Sequence, residues 1–170
     1  MTVQRVSCID AEPRRFAEEL TAMAAVAPEL EWHPESLTWA GVIPVWPFDR
    51  PQPAGLDGFL GGRRLLVNVV YSQAFPMVAP SVFPVDPEPD LRHRTDNRWH
   101  VNGDGSLCMF QSAAAWDGSG TASSLVIKAA GWFLEYLLMI DGVVDAMTES
   151  GVVSDASLDH LFVVPQIPSA

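Results

Sequence analysis

Apolar residues recur along this chain in a few periodic runs separated by Pro- and Gly-rich stretches. Phe16, Leu20 and Met23 follow one another at spacings of four and three, which places them on one face of a helix. Asp10 stands where an N-cap belongs, and Pro13 falls in the first turn, where its missing N–H costs little. The pattern ends before Pro28. Arg14, Arg15, Glu18 and Glu19 are expected on the solvated face of this helix.

A β region follows. Residues 36–45 read SLTWAGVIPV, with Leu37 and Trp39 alternating against polar neighbours. The next stretch, WPFDRPQPAGLDGFLGG, reads as a loop. Residues 64–71, RLLVNVVY, are β-branched and apolar on both faces, as expected of a central strand. The segment QAFPMVAPSVFPV carries Pro76, Pro80 and Pro84. Proline cannot donate to a ladder, so this segment is expected to be extended, at an edge or irregular.

Residues 86–120 hold little regular pattern and are rich in turn signals, Asn102-Gly103 and Asp104-Gly105 among them. Such a stretch inside a compact domain is usually functional. A second helix is predicted from about Ser123 to Ile140, capped by Thr121 or Ser123. It is apolar on nearly every side, so it is packed from several directions. The tail, 143–170, offers a short helix near 156–162 and a frayed end. Helix, strands, long loop and helix in that order argue an α+β domain with an antiparallel meander.

Composition narrows the function. The chain has 170 residues, which is one domain by default, with a core over about 10–142. Its formal net charge is −11, and the short basic clusters (Arg14-Arg15, Arg63-Arg64, Arg92-His93-Arg94) make no basic stripe. Nucleic acid and anionic membrane are therefore disfavoured, and a basic protein partner is allowed. Cys8 and Cys108 are too few for a disulfide framework, and no apolar leader opens the chain. The stretch 125–140 carries Lys128 and Glu135 and is short for a bilayer span. A soluble protein of a reducing, cytoplasmic compartment with free thiols is expected. His33, His93, His100 and His160 have no ligand spacing, so no metal site is expected, and no phosphate-binding or dinucleotide word implies a cofactor.

The chemistry concentrates in the long loop. His100-Val101-Asn102 precedes the word GSLCM, with Cys108 in it, and Trp116 follows eight residues after that cysteine. Over roughly residues 10–142 this ordered set resembles the ubiquitin-conjugating enzymes, which carry a His-Pro-Asn tripeptide, a Gly-x-Ile/Leu-Cys-Leu word and a Trp eight residues beyond the cysteine. FPMVAPSVFPV stands where that family has its Tyr-Pro-x-x-Pro-Pro-like segment. Val101 replaces the proline, and the eight-residue gap from His100 to Cys108 is shorter than is usual in the eukaryotic enzymes. These departures resemble divergent bacterial members in anti-phage defence (cyclic-oligonucleotide signalling) or ubiquitin-like modification operons.

The resemblance implies a ubiquitin-conjugating-enzyme-like fold and an acyltransferase. An activating enzyme would load a ubiquitin-like protein, or another protein C-terminus, onto Cys108 as a thioester. The acyl group would then pass to a lysine or other nucleophile of a target protein. A thiol suits this work because it is both nucleophile and leaving group. Attack on the thioester develops an oxyanion, and a side-chain amide N–H beside it is worth roughly 2.7–4 kcal/mol. Asn102 is the candidate donor, or else the organiser of its turn. His100 is expected to hold the loop, the alternative being a base for Cys108. Asp117 and Asp141 could orient a lysine or be solvated loop carboxylates. Taken alone, between Leu107 and Met109, Cys108 reads as a small buried hydrophobe; with the surrounding words matched, it is expected to be catalytic. Two other functions compete: a catalytically inactive binding or scaffold module of the same fold, and a cysteine hydrolase pairing Cys108 with His100.

Overall fold

The computed structural model describes residues 11–110, 115–149 and 151–163; Cys8 and the expected cap Asp10 lie outside them. The fold is α+β. Helix α1 (Pro13–Val26) leads into strands β1 (Glu31–His33) and β2 (Thr38–Val42). Helix α2 (Leu56–Leu60), β3 (Leu66–Val70) and β4 (Ser81–Asp86) follow. Helix α3 (Ala122–Ile140), the short α4 (Gly151–Ser154) and a 3-10 turn (Asp159–Leu161) come next, and only that turn falls within the span 156–162 where a short helix is expected.

The four strands form one antiparallel sheet in sequence order, β1-β2-β3-β4. The central position expected for residues 64–71 is where β3 lies, with Val67 and Val69 fully buried. The proline-rich segment supplies the edge strand β4. Pro84 sits opposite Val67, beside the register shift between Leu66 and Val67, so its missing N–H falls where the ladder is already irregular. Strand β2 is shorter than the alternating pattern suggests, because Leu37 turns into the left-handed region at φ 51°. Three elements, β1, α2 and α4, have no counterpart in the expectation. Strand β1 is three residues long, too short for a period to register. Helix α2 buries Leu56, Phe59 and Leu60 at helical spacing inside what reads as a Pro- and Gly-rich loop.

Helix α1 departs from its expected face. Phe16 and Met23 are buried, but Leu20 is 39% exposed and Glu19 is completely buried in its place. Arg15 is also largely covered and pairs with Glu19 at 3.1 Å. Solvation of the Arg14–Glu19 face is thus corrected for these two residues. Glu19 Oε2 accepts from the Tyr71 hydroxyl at 2.7 Å and from the backbone N–H of Ala122 at 2.9 Å. Ala122 is the first residue of α3, where backbone N–H groups have no intrahelical partner. Thr121 holds the cap position without a side-chain bond to the backbone, so a carboxylate from another helix does the capping. Burial, followed by the Glu19 charge, pushes the Tyr71 phenol far above its ordinary range, and it remains a donor.

Helix α3 runs through the core, with Leu125, Val126, Ala129, Ala130, Leu134 and Leu138 fully buried. It packs against α1, β4 and α4. Among the described residues it is the helix long and apolar enough to cross a membrane, and 78% of its apolar window is buried inside the fold. Gly131 admits the tail: a Cβ there would lie 3.0 Å from Val153 Cγ2.

Candidate functional site

Residues 87–110 are built from short hydrogen-bonded turns pinned to α3. Asp90 and Asp96 cap two 3-10 turns, Leu91–Thr95 and Asn97–Trp99, by accepting from the N–H groups of Arg92 and Arg98. His93, buried in the first turn, stacks on Trp99 at 3.8 Å, and its Nδ1 lies 3.1 Å from the Tyr136 hydroxyl of α3. Burial holds the His93 pKa below its ordinary value. Trp132 of α3 donates from Nε1 to the Trp99 carbonyl at 2.8 Å. The loop therefore has a fixed position before it reaches the expected site.

His100, Asn102 and Cys108 are brought together by a small hairpin. His100 adopts φ 50°, an uncommon conformation for a residue with a Cβ, and its carbonyl accepts from Cys108 N–H at 2.8 Å. Val101 bridges Leu107, and Leu107 N–H donates to Val82 of β4 at 2.8 Å. Asn102 closes the turn. Its Nδ2 donates to Ser106 Oγ at 2.9 Å and to the Leu107 carbonyl at 3.3 Å. Only an N–H can face the Leu107 carbonyl, which fixes the orientation of the amide. Asp104 Oδ1 accepts from the hydroxyl and N–H of Ser106, bonds that hold its pKa below the ordinary carboxylate value. Both Asn102 amide hydrogens are thus used inside the turn.

Cys108 is exposed, not a buried hydrophobe. Its thiol partner is the Phe110 carbonyl at 3.7 Å; among the described residues His100 makes no hydrogen bond to it. The base–nucleophile pair that a cysteine hydrolase needs is not formed.

Cys108, His100 and Asn102 line a cavity of about 800 Å³. Its other walls come from α3 and the tail. Lys128, Trp132 and Glu135 stand at i, i+4 and i+7 on one helical face. Lys128 Nζ donates to the Met109 carbonyl at 3.1 Å and sits 4.5 Å from the centre of the Phe110 ring. Glu135 is buried and accepts from Thr148 N–H (2.6 Å), Thr148 Oγ1 (2.8 Å) and Val152 N–H (2.8 Å). On the other side of the tail, Arg50 donates to the Val152 and Val153 carbonyls and pairs with Asp159 at 2.9 Å. The tail segment that includes Met147 and Ser154 is held between these two clamps as a wall of the cavity.

The remaining expected residues lie elsewhere. Trp116 packs near Phe110 and donates from Nε1 to the Pro76 carbonyl at 2.7 Å, tying the loop to the proline-rich segment. Asp117 is occupied by Ser119, whose hydroxyl and N–H lower its pKa, and Asp141 pairs with Arg63 at 3.0 Å. Neither lines the cavity. Among the described residues no group of three or more His, Cys, Asp or Glu is arranged to hold a metal ion. Sequence reasoning missed Lys128, Trp132, Glu135 and the tail. The available signal was two charges seven residues apart in an otherwise apolar helix. No family model matches this chain, and no curated protein or solved structure is significantly similar to it.

Proposed function

We propose that this protein is a ubiquitin-conjugating-like acyltransferase that carries a protein C-terminus, such as that of a ubiquitin-like protein, as a thioester on Cys108. The observation that carries this reading is an exposed thiol on a tightly bonded hairpin, opening on a cavity large enough for a peptide terminus. A carrier needs such a thiol, since loading and discharge require two different partners to reach one sulfur. The fold order of N-terminal helix, four-stranded antiparallel meander, long loop and buried helix agrees with the resemblance. The assignment to bacterial antiviral defence rests on that resemblance alone, as do the separate activating enzyme and the target protein as partners.

In loading, Sγ attacks the acyl carbon of the activated donor, the C–S bond forms as the bond to the donor's leaving group breaks, and the thiol proton passes to that leaving group or to solvent. Discharge forms a C–N bond to an amine, breaks the C–S bond and returns the electron pair to sulfur; the proton that the amine nitrogen sheds goes to the departing thiolate or to solvent at this exposed site. Asn102 serves the reaction by holding the turn, and His100 by placing its carbonyl under Cys108 N–H. The test is intact mass and non-reducing electrophoresis of wild type, Cys108→Ser and Cys108→Lys, each co-expressed with the genes flanking its own. A thiol-sensitive adduct on wild type that becomes a stable ester or amide on the variants is expected. A folded protein with no adduct in any form, beside an active candidate activating enzyme, overturns the proposal in favour of a binding or scaffold module.

A further inference from the structure

The donor expected to stabilise the oxyanion is not available in the form expected. Asn102 spends both amide hydrogens on Ser106 and Leu107, and Cys108 N–H is taken by His100. Trp132 and Thr148 also line the cavity, and their Nε1 and Oγ1 are bonded to the Trp99 carbonyl and to Glu135. Among the described residues lining the cavity, Lys128 is the one with a fixed positive charge, and no ion pair to it occurs among them. Its Nζ has three N–H groups, of which the Met109 carbonyl accepts one. That carbonyl belongs to the residue next to Cys108, and the Phe110 ring under the ammonium belongs to the one after. Glu135, the carboxylate one helical turn beyond Trp132, has its oxygens bonded to Thr148 and Val152, so its charge is engaged by the tail.

We propose that Lys128 supplies the positive charge facing the oxygen that becomes negative when an acyl group on Cys108 is attacked. The ammonium is solvent-exposed and touches the loop at Met109 and Phe110, on the long helix α3, with no substrate present. A preorganised cation of this kind acts where charge develops, without reorganisation during the reaction. The same charge makes the cavity favour anionic over neutral groups at the thiol. In discharge, the acyl oxygen gains the electron pair as the amine adds, Lys128 lies against it, and the pair returns as sulfur leaves. No proton need move to or from Lys128. This assignment rests on the thioester reading for its chemistry, but the charge at the thiol can be tested without it.

The experiment measures alkylation of Cys108 in the full chain by anionic iodoacetate and neutral iodoacetamide, followed by mass mapping of the Cys108 peptide. Wild type, Lys128→Met and Lys128→Arg are compared at equal, low ionic strength. A unit charge about 4 Å away in water is worth about 1 kcal/mol, so the iodoacetate-to-iodoacetamide rate ratio should fall about fivefold in Lys128→Met and be kept in Lys128→Arg. A variant that only loosens the loop changes both rates together and leaves the ratio unmoved. An unmoved ratio in folded Lys128→Met overturns the proposal. If the adduct on Cys108 also forms, its discharge to hydroxylamine should slow at least tenfold in Lys128→Met with Lys128→Arg partly rescuing, and equal discharge rates overturn the catalytic role. Absence of any adduct with a shifted ratio sinks the carrier reading of Cys108 and leaves the electrostatic assignment standing.

Discussion

At the residue scale, the working parts of this protein are decided by where individual donors point. Asn102 has the residue type expected of an oxyanion donor and the geometry of a turn organiser. Its two N–H groups bridge the hairpin that carries Cys108. Replacing Asn102 with Ala leaves Leu107 O and Ser106 Oγ without those donors, at about 1 kcal/mol for each half-exposed bond. For a chain of this size that corresponds to a fall of about 2–4 °C in Tm per kcal/mol. A thermal scan of Asn102→Ala should therefore show a lower Tm, with faster amide exchange at Ser106. An unchanged Tm and exchange rate would mean that the amide is not organising the turn.

At the element scale, the junction between α1 and α3 depends on one buried carboxylate. Glu19 gathers Arg15, the Tyr71 hydroxyl and the first N–H of α3, and Arg15 also donates to the Gly120 carbonyl. These bonds join the first helix, the end of the sheet and the helix that carries Lys128. Removing one partner of a buried pair costs about 3–5 kcal/mol, because the other charge is left uncompensated. Glu19→Ala should lose about that much in urea unfolding, a large share of the 5–15 kcal/mol by which domains are stable. Glu19→Gln keeps an acceptor for Tyr71 or Ala122 and should lose less. Equal and small losses in both variants would show that α1 docks through its apolar contacts alone. Helical periodicity predicted α1 well, yet it assigned Glu19 to solvent. Nothing in the local pattern says that a residue between Phe16 and Leu20 faces a tyrosine more than fifty positions away.

At the scale of the whole molecule, stability should depend on pH through the loop that places the site. His93 lies between Trp99 and Tyr136, and burial lowers its folded pKa below the ordinary value. At pH well above about 6.5 the histidine is neutral in both states and contributes no pH dependence. As pH falls below that value the unfolded chain binds the proton first, and stability declines until the depressed folded value is passed. Chemical denaturation at pH 7.5 and 5.5 should therefore show a loss at the lower pH that His93→Phe reduces. An identical pH dependence in His93→Phe would place the sensitive group elsewhere.

The long-period features were legible from residue order alone. The two helices, the central strand around Val67 and Val69, the proline-bearing edge strand and the turn from Asn102 to Ser106 each follow from spacing or from what Pro, Gly and Asn allow. Those are local rules, and the amino-acid sequence carries them without reference to distant parts of the chain. Cys108, His100 and Asn102 could be nominated in the same way because they lie within one short segment. The cavity could not. Its walls come from the loop, from one face of α3 and from a tail held by Glu135 and Arg50. Lys128 reaches the site because α3 packs beneath the loop, and the tail reaches it because Gly131 lets Val153 approach. Such contacts join residues about twenty to a hundred positions apart. They depend on how the helix is rotated in the core, and that is settled only when the sheet, both long helices and the tail bury their apolar surfaces together.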